Sequence, residues 1–387
     1  FMGLAVGAGV IAAQDIGAKR YEAVHKLADT ALTVSLIGGV AVGVFGFFAT
    51  EPLLRLMGTT KEILPSAVPY MKAYFTGMPG CLLYNYLAAI QRSGGDTKHP
   101  LLFLAISGVA NVGLNILMVA GFKLGALGVG IATSASQYIA AAAILIFMLR
   151  EEGCCRVTGF ALDGERLKKM VLIGLPAGLQ GTLFSLSNVI IQSSINAYGT
   201  YVVAGNAAGS NLDGFLYIAM NSVYTAALTF VGQNVGAGKY ARIKKISFLC
   251  VGLVTFIGVS LGVVLVVFGE KLLLIFATGE NKDAVVKAGM NRLLVMGTTY
   301  FLCGLMDVGC GIMRGMGKTI LPMIVSLVGS CLFRIVWIAT VCPLFPGNIL
   351  ALYISYPISW FITAAVHYGC CIHNYRALMR RGAVPAV

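Results

Sequence analysis

The chain is a succession of long apolar segments separated by short polar ones. Eleven stretches predict helices, and most of them approach or exceed the ~20 apolar residues that a helix needs to cross a bilayer. Gly and Pro interrupt several of them, as membrane helices allow. The predicted spans are residues 1–13 (in part), 28–50, 65–91, 100–121, 125–149, 168–197, 202–231, 247–269, 284–313, 320–342 and 348–374. This pattern predicts an all-α, polytopic membrane protein.

Composition strengthens this prediction. The 387 residues are 58% hydrophobic and only 11% charged, whereas an ordinary soluble domain is roughly 25% charged. The formal net charge is +13, which in a soluble protein could indicate nucleic-acid binding. Here the basic residues lie in short loops between apolar spans, so they fix topology, and we expect no nucleic-acid partner.

Counting Lys and Arg on alternating sides of the spans predicts the orientation. One set of loops, together with the C-terminal tail, holds 19 of them, and the other side holds 8. The richer side should be cytoplasmic. We therefore expect a multi-pass protein of the cell membrane with a cytoplasmic C-terminus.

Residue types that support catalysis or metal binding are not grouped in the sequence. The ten cysteines show no zinc or cluster spacing, and two pairs are adjacent, which is a poor arrangement for a structural disulfide. No Ser/His/Asp set or pair of catalytic carboxylates stands out. We expect no enzyme activity, no cofactor and no metal other than a transported Na⁺.

One basic loop is written twice. The segment AQDIGAKRYEAVHK (13–26) matches GQNVGAGKYARIKK (232–245) at an offset of 219, and RSGGDTKHP (92–100) matches RGMGKTILP (314–322) at an offset of 222. Both copies of each loop fall on the basic side, so the halves are parallel repeats. The polar connector 150–169 separates them. We predict an N-terminal bundle at 1–150, a linker at 151–167 and a C-terminal bundle at 168–387.

The repeat also predicts what a complete copy would contain. Residue 1 corresponds to residue 220, so the first half lacks a counterpart to about 55 residues of the second. The expected intact protein has twelve spans, six per half, of which about ten and a half are present here. Without the missing spans, we expect the first bundle not to support transport.

The repeated segments resemble the multidrug and toxic compound extrusion (MATE) family of secondary transporters. The resemblance covers the whole chain, and within the family the sequence is more similar to the DNA-damage-inducible (DinF-like) branch than to the NorM branch. It implies two six-helix bundles flanking a central cavity, and export of substrate in exchange for Na⁺ or H⁺. NorM-type members carry a Glu after the IGLP segment, whereas this chain reads GLQGTLFSLSN there, so that coupling site does not carry over. The segments that carry the resemblance are GAGVIAAQDIGAKRYEAV, AAIQRSGGDTKHPL, IGLPAGLQ, FVGQNVGAGKYARIKK and GIMRGMGKTILPM.

Two acidic residues lie deep in predicted spans. An ionised Asp at mid-membrane costs ~2.5–3.5 kcal/mol on insertion scales, so Asp213 and Asp307 are candidates for binding the coupling ion. The competing interpretation is a structural Asp that hydrogen-bonds to neighbouring helices. Asp307 corresponds to Asn85 in the first half, so the position is charged in one repeat and neutral in the other.

Polar side chains recur at helical spacing on three spans, and Asn85 is a single polar position on a fourth. They could line a substrate cavity, or they could form interhelical hydrogen bonds worth only ~0.6 kcal/mol per pair; the sequence leaves both open. The candidates are Asn206, Ser210, Tyr217, Asn221 and Tyr224 beside Asp213; Asn188, Gln192 and Asn196 on the preceding span; and Asn85, Asn111 and Asn115, with Ser107, in the first half.

Three further residues are singled out by their position. Arg334 is the one basic residue that the pattern places inside a span, and we expect a salt bridge to Asp307 or Asp213. Pro176 lies early in its span and could act as a hinge, although membrane helices also simply tolerate proline. His367 is interpreted as a packed residue rather than a proton relay.

These observations predict a monomeric antiporter in the lipid bilayer that exports amphipathic, cationic organic compounds in exchange for Na⁺ or H⁺. A cavity rich in Tyr, Phe and Met would suit varied cations. Two alternatives stay open. A flippase for lipid-linked precursors should show more cationic residues in its cavity, and a channel or membrane receptor should show rings of charge or flux without coupling.

Overall fold

The computed structural model describes residues 2–276 and 281–382, with no description of the Arg381 and Gly382 side chains. Residue 1 of the first predicted span and Arg381 of the basic tail therefore lie outside the described side chains. The described part is almost entirely helical. Within it, nine helical segments are long and apolar enough to cross a membrane. The predicted all-α, polytopic class is confirmed.

The chain divides into two compact units, Phe1–Gly178 and Leu179–Val387. The division falls inside one long helix, Gly164–Asn196, and not in the polar connector. The predicted bundle limits at 150 and 168 remain a sequence-based division of the chain.

The first unit is built from six helices and the start of a seventh. Its fourth helix, α4 (Met78–Ser93), packs against the first, second and sixth helices, and the third and fifth helices also pack against the sixth. The elements are α1 (Met2–Gly17), α2 (Tyr21–Leu56), α3 (Leu64–Thr76), α4 (Met78–Ser93), α5 (Lys98–Asn115) with a π-helical extension at Ile116–Gly121, α6 (Gly125–Arg150) and the first part of α7 (Gly164–Asn196).

The second unit is organised around α10, which packs against α8, α9 and α14. Its elements are the rest of α7, α8 (Thr200–Gly236), α9 (Ala241–Phe276), α10 (Lys282–Gly315), α11 (Ile320–Ser326), a π-helical segment at Leu327–Leu332, α12 (Phe333–Thr340), a 3₁₀ turn at Cys342–Leu344, α13 (Ile349–Tyr353) and α14 (Ser355–Gly382).

Some predicted spans are not single helices; 348–374, for example, breaks at Ile354 into α13 and α14. The stretch 65–91 breaks at Gly77 into α3 and α4. Pro79 follows within the first turn of α4, where its missing N–H costs nothing because the first helical N–H groups have no partner. The apolar pattern continues through such a break, so hydrophobicity alone predicted one continuous span.

The internal repeat is visible in the backbone. Positive φ angles occur at Lys19 and Gly238, which are 219 residues apart, at Gly95 and Gly317, and at Gly125 and Gly347, which are both 222 apart. These are the offsets of the repeated loops. The two units therefore share the same hairpin geometry at three equivalent turns.

The repeat extends to close helix contacts. In the first unit Gly39 lies against Pro79 and Gly43 against the carbonyl of Phe75; in the second, Gly258 lies against Phe301 and Gly262 against the carbonyl of Gly297. Each pair is displaced by 219 on one helix and 222 on the other. The packing of α2 on α3 and α4 is thus repeated by α9 on α10.

The connector 151–163 is fastened to the first unit by buried carboxylates. Asp29 accepts hydrogen bonds from the Thr158 N–H (2.7 Å), the Gly159 N–H (3.1 Å) and the Thr158 hydroxyl. Asp15 forms ion pairs with Arg20 at 2.6 Å and Arg166 at 2.5 Å. The connector is therefore an ordered strap rather than a loose linker.

Candidate substrate and ion site

A buried ion pair joins α8 to α10 in the second unit. Arg292 donates from Nε (2.9 Å) and Nη2 (2.7 Å) to Asp213 Oδ2. Both side chains are buried, with Asp213 only 3% exposed. Asp213 Oδ1 is also buried and has no hydrogen-bond partner among the described residues. Oδ2 thus accepts both hydrogen bonds from Arg292, whereas Oδ1 accepts none from the described residues.

The ion pair belongs to a longer polar network. Arg292 Nη1 donates to Asn206 Oδ1 (2.8 Å), which also accepts from the Tyr353 hydroxyl (3.3 Å). Asn206 Nδ2 donates to Gln192 Oε1 (3.2 Å), and Gln192 Nε2 donates to Asn196 Oδ1 (3.1 Å). The predicted stripes of α7 and α8 therefore meet, and Arg292 connects them to α10.

A second polar region lies further along α10. Fifteen residues separate Arg292 from Asp307, which at 1.5 Å per residue is about 22 Å along the helix axis. Asp307 is partly exposed and makes no hydrogen bond or ion pair with a described residue. Asp307 lies in the field of Arg314, and its own charge acts on the hydroxyl groups of Tyr217 and Tyr224. Two residues of the predicted α8 stripe are therefore within electrostatic range of Asp307.

Arg314 is held at the end of α10 by neutral partners. Its Nη1 donates to the Tyr224 hydroxyl (2.6 Å) and its Nη2 to Gln180 Oε1 (2.8 Å). It is buried, and its Nε has no partner among the described residues. The sequence pattern assigned this residue to a loop, but the helix continues past it to Gly315.

Arg334 does not form the expected salt bridge. Asp213 pairs with Arg292, and Arg334 instead donates from Nε to the Ser359 hydroxyl (2.9 Å). Its guanidinium lies 4.2 Å from the centre of the Tyr356 ring and 5.5 Å from that of Trp360. Ion pairing was expected because acids were the obvious partners, whereas aromatic faces also stabilise a desolvated guanidinium.

The polar candidates of the first unit bond to neighbouring helices or to their own. Asn111 Nδ2 donates to Ser136 Oγ (3.3 Å) on α6, and Asn115 Nδ2 donates to Asn111 Oδ1 (3.0 Å). Asn85 Nδ2 returns to the Cys81 carbonyl (2.7 Å) on its own helix. These contacts correspond to the packing interpretation, without excluding a substrate role.

The remaining candidates are scattered. Asn188 and Ser210 are exposed, and Asn221 is partly buried. Pro176 is buried within a continuous α7, and its role as a hinge stays a prediction. His367 is fully buried, with Nδ1 at 2.9 Å from the Met306 carbonyl and Nε2 at 3.3 Å from Ser326 Oγ, which agrees with a packed residue.

Two arginines of the site were missed from the sequence. Arg292 and Arg314 lie near the two ends of the predicted span 284–313, so they were counted with the topology-determining charges. The available signal was their spacing on α10 relative to Asp307, which places all three on one buried helix. Among the described residues, no group of three or more His, Cys, Asp or Glu could hold a metal ion.

Together, the repeated helical units and the charged groups buried within spans define a multi-pass helical membrane protein with the features of a transporter. Comparison with known proteins then gives the family. The MatE family model matches residues 1–117 and 176–340, and the chain belongs to this family. The resemblance found in the repeated loops is confirmed; the DinF-like branch stays a prediction.

Individual relatives agree. The probable multidrug resistance protein YpnP of Bacillus subtilis is 30% identical over 78% of this chain and 67% of its own length. YoeA of the same organism, also described as a probable multidrug resistance protein, is 25% identical over 95% and 81%. A solved outward-facing multidrug resistance MATE family transporter of the MOP superfamily superposes with a TM-score of 0.91 at 19% identity, over 98% of this chain and 85% of that one.

Proposed function

We propose that the protein is a secondary active antiporter that exports amphipathic, cationic organic compounds in exchange for Na⁺ or H⁺. Alternating access would carry the exchange. The names of the relatives support the drug-export part of the proposal, since YoeA and YpnP are probable multidrug resistance proteins and a relative from Staphylococcus saprophyticus is a multidrug export protein, MepA, 25% identical over 84% of this chain. The basic loops support a cytoplasmic C-terminus.

The observation that carries the coupling proposal is the contrast between the two acids that lie within spans of the second unit. The Asp213 carboxylate is neutralised by two hydrogen bonds from Arg292, so a coupling cation would compete with a resident cation. Asp307 is partly exposed and has no such bonds to described residues. Asp307 is therefore the stronger candidate for the coupling ion, and Asp213 the stronger candidate for holding α8 on α10.

Coupling requires that ion and substrate bind two facing states with different affinity. A carboxylate within electrostatic range of Tyr217, Tyr224 and Arg314 can provide such a difference. When Na⁺ or H⁺ occupies Asp307, the carboxylate is neutralised and no longer attracts a cationic substrate; when the ion leaves, the carboxylate and the tyrosine faces can receive that substrate. Competition for one carboxylate is thus sufficient for exchange.

The test uses the full-length protein in proteoliposomes loaded with a fluorescent organic cation. A Na⁺ gradient and a pH gradient are imposed separately on wild type, Asp307→Asn and Asp213→Asn. We expect one gradient to drive movement in wild type, and Asp307→Asn to abolish it while the protein remains folded. If neither gradient moves any of a varied cation panel, the export proposal is wrong.

A lipid-linked precursor flippase is the second candidate, and one observation favours it more than the sequence did. Three arginines of the second unit are buried, Arg292, Arg314 and Arg334, where the sequence pattern indicated one. Anionic lipid phosphates would suit such a site. Flipping of a fluorescent phospholipid analogue without an ion gradient would favour this function. Ion flux without substrate would instead favour a channel.

A further inference from the structure

The buried charges of the second unit do not balance. Asp213 pairs with Arg292, and Asp307 lies in the field of Arg314. No described carboxylate pairs with the remaining buried arginine, Arg334, which is 4% exposed. One cationic side chain within a membrane span is therefore left without a counter-ion.

The guanidinium of Arg334 is only partly satisfied. Nε donates to Ser359 Oγ at 2.9 Å, and this is its one hydrogen bond to the described residues. Nη2 is buried and has no partner there. An arginine can donate five N–H bonds, so the edge that carries the two Nη atoms retains most of its capacity. Leaving such donors unpaired in a buried place is costly.

Aromatic rings lie against the guanidinium but accept none of its in-plane hydrogen bonds. Tyr356 lies 4.2 Å and Trp360 5.5 Å from the guanidinium, and Tyr300 packs edge-on against Trp360 at 5.2 Å. Stacking uses the faces of the guanidinium but not its in-plane N–H groups. A planar carboxylate fits the free Nη edge in the bidentate manner that arginine favours.

The charge is particular to this half of the molecule. Arg334 follows directly on the π-helical segment Leu327–Leu332. Such π-helical insertions are frequent at functional sites. At the 222-residue offset the equivalent position is Val112, which is exposed on α5. The repeated fold therefore does not itself require an arginine here.

We propose that Arg334 binds the carboxylate of an amphipathic aromatic substrate, with the aromatic ring of the substrate against Tyr300, Tyr356 and Trp360. This inference rests on the proposed export of cationic organic compounds and narrows their class to aromatic compounds that carry a carboxylate for Arg334 as well as an amine for Asp307; benzoate, used below, is a probe for the carboxylate subsite alone. The carboxylate supplies the counter-ion that no described side chain provides.

The test is equilibrium binding of radiolabelled benzoate to the purified full-length protein in detergent at fixed ionic strength. We expect saturable binding that unlabelled benzoate displaces and the neutral isostere benzamide does not. Arg334→Gln should weaken binding by about tenfold or more, the loss expected for a charge-assisted pair. Arg334→Lys keeps the charge but not the planar guanidinium, so its affinity for benzoate should lie between those of the wild type and Arg334→Gln. Arg242→Gln, at an exposed arginine of α9, is the matched control and should bind like wild type.

Four results would overturn the proposal. They are no saturable benzoate binding to wild type, equal displacement by benzamide, unchanged binding in an Arg334→Gln protein that elutes as a folded species, and displacement by inorganic phosphate or chloride as strong as by benzoate. The last result would assign the site to a phosphate or an inorganic anion. The wild-type protein is also tested for gradient-driven cation movement, so that binding without movement refutes the proposed export and movement without binding refutes only this inference.

Discussion

Breaking the Asp213–Arg292 pair should be among the most damaging changes that a single substitution can make in the second unit. Removing one member of a buried ion pair typically costs about 3–5 kcal/mol because the other charge stays buried without compensation. In Asp213→Ala, Arg292 keeps its bond to Asn206 and its position 5.8 Å from the Tyr353 ring centre. We therefore expect Asp213→Ala to lower the free energy of unfolding by about 3 kcal/mol, near the lower limit of that range.

Replacing both members should cost less than replacing one. In Asp213→Ala with Arg292→Met, neither charge remains, and apolar replacements of a buried pair are often close to neutral. A double-mutant cycle should therefore give a coupling energy of about 2–3 kcal/mol between the two positions. Asp213→Asn should be milder than Asp213→Ala, because the Asn carbonyl can still accept from Arg292.

The assay is reversible unfolding of the purified protein in mixed micelles, with the free energy of unfolding compared among the two single variants and the double variant. Glu22→Ala is the control, since Glu22 and Lys26 form an exposed pair one helical turn apart at 3.2 Å, and such pairs contribute less than about 0.5 kcal/mol. If the two single losses simply add in the double variant, the pair is not the structural connection between α8 and α10.

Three further predictions concern packing, the connector and a thiol. Gly262→Ala should lower thermal stability strongly because a methyl group there overlaps the Gly297 carbonyl oxygen, whereas Gly252→Ala on the same helix meets open space and should be neutral or slightly stabilising; equal melting temperatures would refute the close packing. Asp29→Ala should release the connector and speed tryptic cleavage after the exposed Arg156, with Glu22→Ala as control; unchanged cleavage would mean that the strap is held elsewhere. The hydrogen bond from the neighbouring Cys155 thiol lowers the pKa of Cys154 to about 7. The Cys154 thiolate therefore forms at lower pH than usual, and alkylation of Cys154 by iodoacetamide should be half-maximal near pH 7. Cys155→Ala should raise the pH of this midpoint, and a midpoint above pH 8 in the wild type would contradict the prediction.

Hydrophobic periodicity was enough to predict the helices but not their breaks. Apolar residues recur on both sides of Gly77, so the sequence predicted one span at 65–91 where the structure has α3 and α4. The π-helical segments at Ile116–Gly121 and Leu327–Leu332 also left no signal, because one extra residue in a turn does not alter an apolar pattern.

The polar stripes were predicted more accurately than their partners. Spacing along a helix decides which side chains share a face, and the stripes containing Gln192 and Asn206 do meet. Which cation faces Asp213 depends on how α10 is rotated and shifted relative to α8, and no local pattern encodes that. The expected partner was therefore Arg334, and the observed one is Arg292.

The contacts of the connector also could not be predicted from local sequence patterns. The sequence pattern did not single out Asp15 or Asp29, yet both are buried; Asp29 binds the connector, and Asp15 binds Arg166 in the first turn of α7. Their partners Arg166 and Thr158 are more than a hundred residues away, so the latch depends on tertiary contacts between distant parts of the chain.

The two repeats together show which charges the fold does not need. Three equivalent turns and two equivalent helix contacts coincide between the units, so both halves reach the same backbone arrangement. At the 222-residue offset, Asp307 corresponds to Asn85, Arg334 to Val112 and Arg292 to Tyr70. A bundle of this architecture therefore folds with neutral residues at all three positions. Arg292 pairs with Asp213 and so serves the packing of α8 on α10. Asp307 and Arg334 have no such ion pair among the described residues, and placing charge in a membrane span carries a cost, so we propose that these two charges serve the binding of an ion and a charged substrate.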